Sequence, residues 1–212
     1  AIFKRPRHAY FHSGSAGQVE ERVVEIPEDA TTGTTRTQEL KPFGTAGSVE
    51  SVQDATGKGW QPVGWDLQAD SYDGEIQAGE EVTLTDDTDF YGVYQKDVTL
   101  SYDENGGETC PQAETKECRA NVHEEVSYEV PQFTAAAAIT QSGYVFAGWN
   151  TKKDGTGKPF EAGKMYALDE DTTLYAQWET DTVAYRVEHY KQDVEGDGYT
   201  REDADTERIT GR

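Results

Sequence analysis

Four histidines, two cysteines, four tryptophans and forty-one carboxylates are the side chains here that could do chemistry. Each would need a particular neighbourhood. Cys110 and Cys118 stand eight positions apart in CPQAETKEC. A structural zinc site needs four ligands, and no Cys-x-x-C or His pair lies close by to complete one; His123 is the only near imidazole. A local disulfide is the sharper expectation, with free thiols as the alternative. In the chain-entropy model, closing so short a loop stabilises by about 2–3 kcal/mol, and such a bond implies an oxidising, exported location.

The acidic stretches are read the same way. DVEGDGYTREDA opens like a calcium loop, with Asp193, Glu195 and Asp197 at its first, third and fifth positions and Gly198 at its sixth. Its twelfth position is Ala204, where a bidentate acid belongs, so a hairpin turn is the better expectation. HSGSAG sets His12 near Ser13 and Ser15, but the strand–elbow–helix setting of a hydrolase serine is missing. Glu124 and Glu125 are read as neighbours in one strand, pointing to opposite faces and unable to share a proton. An intramolecular Lys–Asn isopeptide has no signature in the chain. No catalytic, cofactor-binding or metal-ligating residue is assigned, and the chain is read as non-enzymatic.

Tryptophan can stack on a pyranose ring through the face that also attracts cations. Trp60, in GKGWQP, has the most loop-like setting and is the one candidate for ligand contact. Trp65 and Trp149 are read as core because they belong to a repeat. Gly64-Trp65 returns 84 residues on as Gly148-Trp149, and the same spacing carries Asp70 onto Asp154 and Ala78-Gly79 onto Ala162-Gly163. It also carries Leu84 onto Leu168, Asp87-Thr88 onto Asp171-Thr172 and Tyr91 onto Tyr175, with no gap between 64 and 94. Apolar and turn positions recur; reactive polar groups do not. That pattern repeats a shape, as tandem modules do.

The elements that must hold these residues read as short strands. KDVTLSYDENGG, 96 to 107, is a strand closed by an Asn-Gly turn, and NVHEEVSYEV, 121 to 130, is a strand stopped by Pro131. TAAAAIT, 134 to 140, is long enough for one helical turn. YVFAGW, KMYAL and TTLYAQW are further strands, the last two separated by the acidic turn Asp169-Glu170-Asp171. In the front half HAYFHSG, 8 to 14, and VEERVVEI, 19 to 26, are strands, FKRPRH is a solvated basic arm, and 27 to 47 is a long loop. The tail from Thr182 is a hairpin with its turn at 193 to 198. Domain limits are set at 1–95, 96–180 and 181–212, the last a partial module.

The totals narrow the partners. The chain has 212 residues, 34% hydrophobic, with a net charge of −22. Such a surface repels nucleic acid and anionic lipid. No run of eighteen apolar residues is present, so no membrane insertion is expected. Small aromatic cores on short strands, with 21 glycines for turns, make the expected fold mainly β with little helix.

GYVFAGWNTKKDGTGKPFEAGKMYALDEDTTLYAQW, 143 to 178, resembles the Listeria–Bacteroides repeat, the B-repeat of listerial internalins, and LSYDENGG, 100 to 107, resembles that family's opening strand and turn. The resemblance is weaker over 62 to 94. YRVEHYKQDVEGDGY in the tail resembles the start of mucin-binding-like modules. What the resemblance implies is tandem β-grasp-like modules on a bacterial cell-surface protein, extracellular and wall-attached or secreted, acting as a spacer or in adhesion to host or matrix. A host glycan or surface protein is the implied partner, and the chain is expected to be a monomer without cofactors. The alternative is a carbohydrate- or protein-binding module with its site on the insertion at 104–134 or near Trp60.

Overall fold

Strands account for every regular element in the computed structural model, which describes residues 4–14, 17–27, 30–38, 59–192, 194–202 and 207–211. No helix forms among them, so the chain is all-β, as its aromatic, β-branched and glycine-rich composition dictates. Two compact units emerge, one of residues 1–99, 114–133 and 167–171, the other of 100–113, 134–166 and 172–212.

In the first unit β1 (Lys4–His12) runs antiparallel to β2 (Val19–Pro27), with His8 opposite Val23. On its other side, Ala9–His12 run parallel to Thr88–Tyr91 of the long strand β6 (Thr88–Asp103). β3 (Gly33–Arg36) pairs with β5 (Glu81–Leu84), and β4 (Gln61–Asp66) lies antiparallel to β6 with a bulge between Pro62 and Gly64. β7 (Glu114–Val122) pairs with β8 (Val126–Glu129). Alternation along β1 turns Ala9 and Phe11 inward, where they meet Trp65, Leu84 and Phe90, flanked by Val24, Ile76 and Val82. The Phe11 ring lies 4.7 Å from Phe90 and meets Trp65 edge-on at 5.2 Å. Each ring so buried contributes roughly 1.5–3 kcal/mol from its area alone.

The second unit follows the same plan. β13 (Thr172–Thr180) runs parallel to Leu100–Asp103 of β6, and β10 (Tyr144–Asn150) lies antiparallel to β13 with a bulge between Phe146 and Gly148. β11 (Pro159–Phe160) pairs with β10. Trp149 sits among Tyr102 at 4.9 Å and Phe146 at 5.2 Å, with Leu174 and Ala176 fully buried. β9 (Gln132–Thr134) and β12 (Met165–Ala167) are short strands. In the tail β14 (Val183–Val187) pairs with β17 (Glu207–Gly211), and β15 (Tyr190–Gln192) with β16 (Tyr199–Arg201) around a turn at 194 to 198.

Four local expectations are corrected. The Ala run 135–140 is irregular rather than helical. Its backbone is spoken for: Ala135 N–H bonds the Lys164 carbonyl, Ala135 C=O accepts from Gly163, and Ala136 N–H bonds the Tyr102 hydroxyl. Those bonds outweigh a short run's helix propensity. The stretch 121–130 is not one strand, since β7 ends at Val122 and a bend at 123–125 leads into β8; Glu124 and Glu125 lie in that bend. The described part of the 27–47 loop contains β3, tied to β5, while 28–29 and 39–47 lie outside the described residues. The basic segment KRPRH is not a solvated arm but the first half of β1.

Candidate functional site

The spacing of 84 marks out a hydrogen-bonded frame that occurs twice. Trp65 Nε1 donates to the Gln38 carbonyl at 2.8 Å, and Trp149 Nε1 donates to the Ala136 carbonyl at 2.9 Å. Both indoles are buried, with 0% and 1% of their surface exposed. Trp65 bridges Ile76 and Trp149 pairs with Phe160, again 84 residues apart. Both bulges fall at equivalent places, one residue before the Gly-Trp pair.

The residue after each Trp anchors the next loop. Asp66 accepts from the backbone N–H groups of Asp73, Gly74 and Glu75 at 3.1, 2.9 and 3.3 Å. Asn150 Oδ1 accepts from Lys152 and Gly157, both at 2.9 Å, and its Nδ2 donates to the carbonyls of Gly155 and Gly157. Asp73 and Gly157 are themselves 84 apart. The acidic turns recur too: Asp87 Oδ1 accepts from His8 N–H at 2.9 Å, and Asp171 Oδ1 from Thr99 N–H at 2.8 Å. A shared pair of bonds then links Thr37 with Gly79 and Glu80, and Ala135 with Gly163 and Lys164. The front strands therefore match as well, at slightly longer spacings, with Phe11 answering to Tyr102. Sequence identity misses this part because backbone groups make most of the bonds.

The residues singled out for chemistry are dispersed around this frame. Trp60 is 3% exposed, so the aromatic expected to face solvent is covered. Lys96 lies over its ring, with Nζ 4.9 Å from the centroid, and Tyr128 stands 6.0 Å away. Lys96 is itself buried, its ammonium donating to the Asp169 carbonyl at 2.5 Å. The expected Cys110–Cys118 disulfide is not formed; Cys110 is exposed and Cys118 is buried on β7. Desolvation together with the neighbouring Glu104 raises the Cys110 thiol above its ordinary pKa.

His12 Nε2 is hydrogen-bonded to Asp89 at 2.8 Å and its ring stacks on Tyr91 at 4.9 Å. Ser13 is buried, and Ser15 lies outside the described residues. His8 is bonded to Glu21 across β1 and β2. The Tyr91 phenol is raised by its burial and by Asp89 and Glu124. Of the calcium-loop residues, Asp193, Asp203 and Ala204 lie outside the described residues; among those described, no three His, Cys, Asp or Glu side chains gather as a metal site.

Within the insertion, Arg119 donates to the Tyr72 carbonyl at 2.8 Å and Asn121 Nδ2 to the carbonyls of Gln68 and Ser71 at 3.1 and 2.6 Å. Those bonds hold the loop that lines a cavity of about 330 Å³ beside Trp65, with Asp66, Asp73 and Glu75 in its wall. Among the described residues no helix is long and apolar enough to cross a membrane.

No solved structure matches this chain. Two relatives from Evansella cellulosilytica do. One, named "Putative membrane protein", is 51% identical over 41 residues, which is 19% of this chain and 6% of that protein. The other, named "Putative Gly-rich membrane protein", is 41% identical over 51 residues, 24% of this chain and 6% of that protein. The chain thus spans only a small fraction of either relative's length. The Listeria–Bacteroides repeat domain is the family whose model matches, over residues 99–177, the segment that carries the second occurrence of the frame.

Proposed function

We propose that this chain is an extracellular, non-catalytic segment of a bacterial cell-surface protein, a spacer built from repeated modules of defined shape. The observation that carries the reading is the double occurrence of one hydrogen-bonded frame around Trp65 and Trp149. What recurs is buried indoles, buried loop anchors and exposed turn carboxylates, each already bonded within the chain. A duplicated reaction centre would repeat outward reactive groups, and the face bearing His8, Tyr10 and His12 answers to Thr99, Ser101 and Asp103. The repeat-family match and the membrane-protein names of the relatives support a place at the cell surface.

Adhesion is the finer form of the proposal, with a host glycan or surface protein as partner and wall attachment through the parent protein. The 104–134 insertion is the place for such contact, since the burial of Trp60 withdraws the other candidate. The test is antibody labelling of intact cells that carry the parent protein. Labelling without permeabilisation supports the reading; labelling only after permeabilisation ends it. Deleting 108–120 and measuring host-cell attachment then separates adhesion from a spacer alone.

A further inference from the structure

The basic half of β1 carries a site that the repeat comparison exposes. Arg5 and Arg7 lie on the same face of the strand as the core residues Ala9 and Phe11. They lie on that face beyond its apolar residues, Arg5 exposed and Arg7 half-buried. Arg5 stands opposite Ile26 on β2, and Ile26 is 3% exposed. Together with Arg7, Ala30 and Thr31 these residues line a cavity of about 100 Å³ that opens to solvent. Its described lining joins the side chains of Arg5, Arg7 and Thr31 to the apolar Ile26 and Ala30.

The second occurrence shows what this position does when its charge is answered inside the chain. The parallel registers that align Ala9 with Leu100 also align Arg5 with Lys96. Lys96 is buried, bonded to the Asp169 carbonyl and laid over the Trp60 ring. Arg5 has no hydrogen-bond or ion-pair partner among the described residues. Arg7 donates from one nitrogen to Asp86 at 3.0 Å, and its other nitrogens have no partner among the described residues. In a chain of net charge −22, no carboxylate is among the described residues that line this pocket.

We propose that Arg5, Arg7 and Thr31 form a binding pocket for a single oxyanion, a carboxylate or a phosphate. A guanidinium presents paired N–H donors in the geometry of a two-oxygen acceptor. The Thr31 hydroxyl supplies a further donor, and the cavity is of a size for one such group. The surrounding negative charge disfavours extended polyanions, so the ligand is a lone anionic group.

The test is calorimetric titration of the whole chain at low salt with two probes, inorganic phosphate and an acetylated peptide bearing one glutamate. Saturable binding of either supports the pocket, and the tighter probe identifies the source. Arg5→Gln should weaken binding at least about tenfold, Arg5→Lys less, and Thr31→Val a few-fold. Lys191→Gln, a cation paired with Glu202 in the tail, should leave affinity unchanged. Thermal melts establish that each variant is folded. No saturable binding of either probe, or Arg5→Gln and Thr31→Val binding as the wild type does, overturns the proposal.

Discussion

Exchanging the two loop anchors, Asp66→Asn and Asn150→Asp, should have unequal effects. The positions are equivalent, yet their surroundings differ in hydrogen-bond sign. Asp66 meets three N–H donors, a setting for an acceptor-only carboxylate. Asn150 meets two N–H donors and two carbonyls, a setting that needs both halves of an amide. Each residue is 5% exposed, so water does little to repair a mismatch. Asn150→Asp loses two bonds at about 1 kcal/mol each and turns a buried carboxylate toward two carbonyl oxygens. The sum is a cost of about 3–4 kcal/mol at neutral pH. Asp66→Asn keeps one oxygen and loses one charge-assisted bond, about 1–2 kcal/mol.

Protonation sharpens the test. Burial beside carbonyls raises the pKa of the carboxyl introduced by Asn150→Asp, and the protonated acid regains one donor. The deficit of this variant should therefore be full above that raised pKa and shrink as pH falls through it. Urea unfolding followed by circular dichroism, each variant against wild type at pH 7.5 and pH 5, measures both effects. The reasoning is refuted if Asn150→Asp lies within about 0.5 kcal/mol of wild type, the scale of a neutral surface change, or if Asp66→Asn is the costlier exchange.

Other outcomes follow from single contacts. Lys96→Met keeps the stem over Trp60 but strands the Asp169 carbonyl, and should lower stability by about 1–3 kcal/mol in the same urea assay. Gly64→Ala should cost far more than Gly79→Ala. A Cβ at Gly64 would lie 2.2 Å from the Gly74 carbonyl oxygen, whereas Gly79, at φ 82°, has open space and incurs only left-handed strain of about 1 kcal/mol. Native protein should react with one thiol reagent equivalent at Cys110, more slowly than a free cysteine at the same pH because its thiol is raised. Cys118 should react only on unfolding; two native equivalents would contradict its burial.

The back half of each repeat is legible because side chains define it: Gly-Trp, Ala-Gly and Asp-Thr recur without a gap, and the core role of Trp65 and Trp149 follows from their equivalence. The front half is not, since Phe11 and Tyr102 share a place while His12 and Asp103 beside them share nothing. Trp60 misleads because its cover comes from Lys96 and Tyr128, distant in sequence, and a cation over an indole leaves no local pattern. The Ala run misleads for the opposite reason. Its local preference is real, but partners as far away as Tyr102 and Lys164 claim its backbone. The oxyanion pocket has one trace in the sequence, a basic cluster in an acidic chain. Recognising it requires knowing that KRPRH is a strand.

Indole hydrogen exchange offers the most direct trial of the idea that recurring residues are scaffold. In 15N-labelled protein moved into D₂O, the Trp65 and Trp149 indole N–H signals should persist together long after surface amides have vanished, because both are buried and bonded to carbonyls. If either signal is lost at the rate of an exposed indole, that tryptophan faces solvent, and a pocket rather than a frame is what the chain repeats.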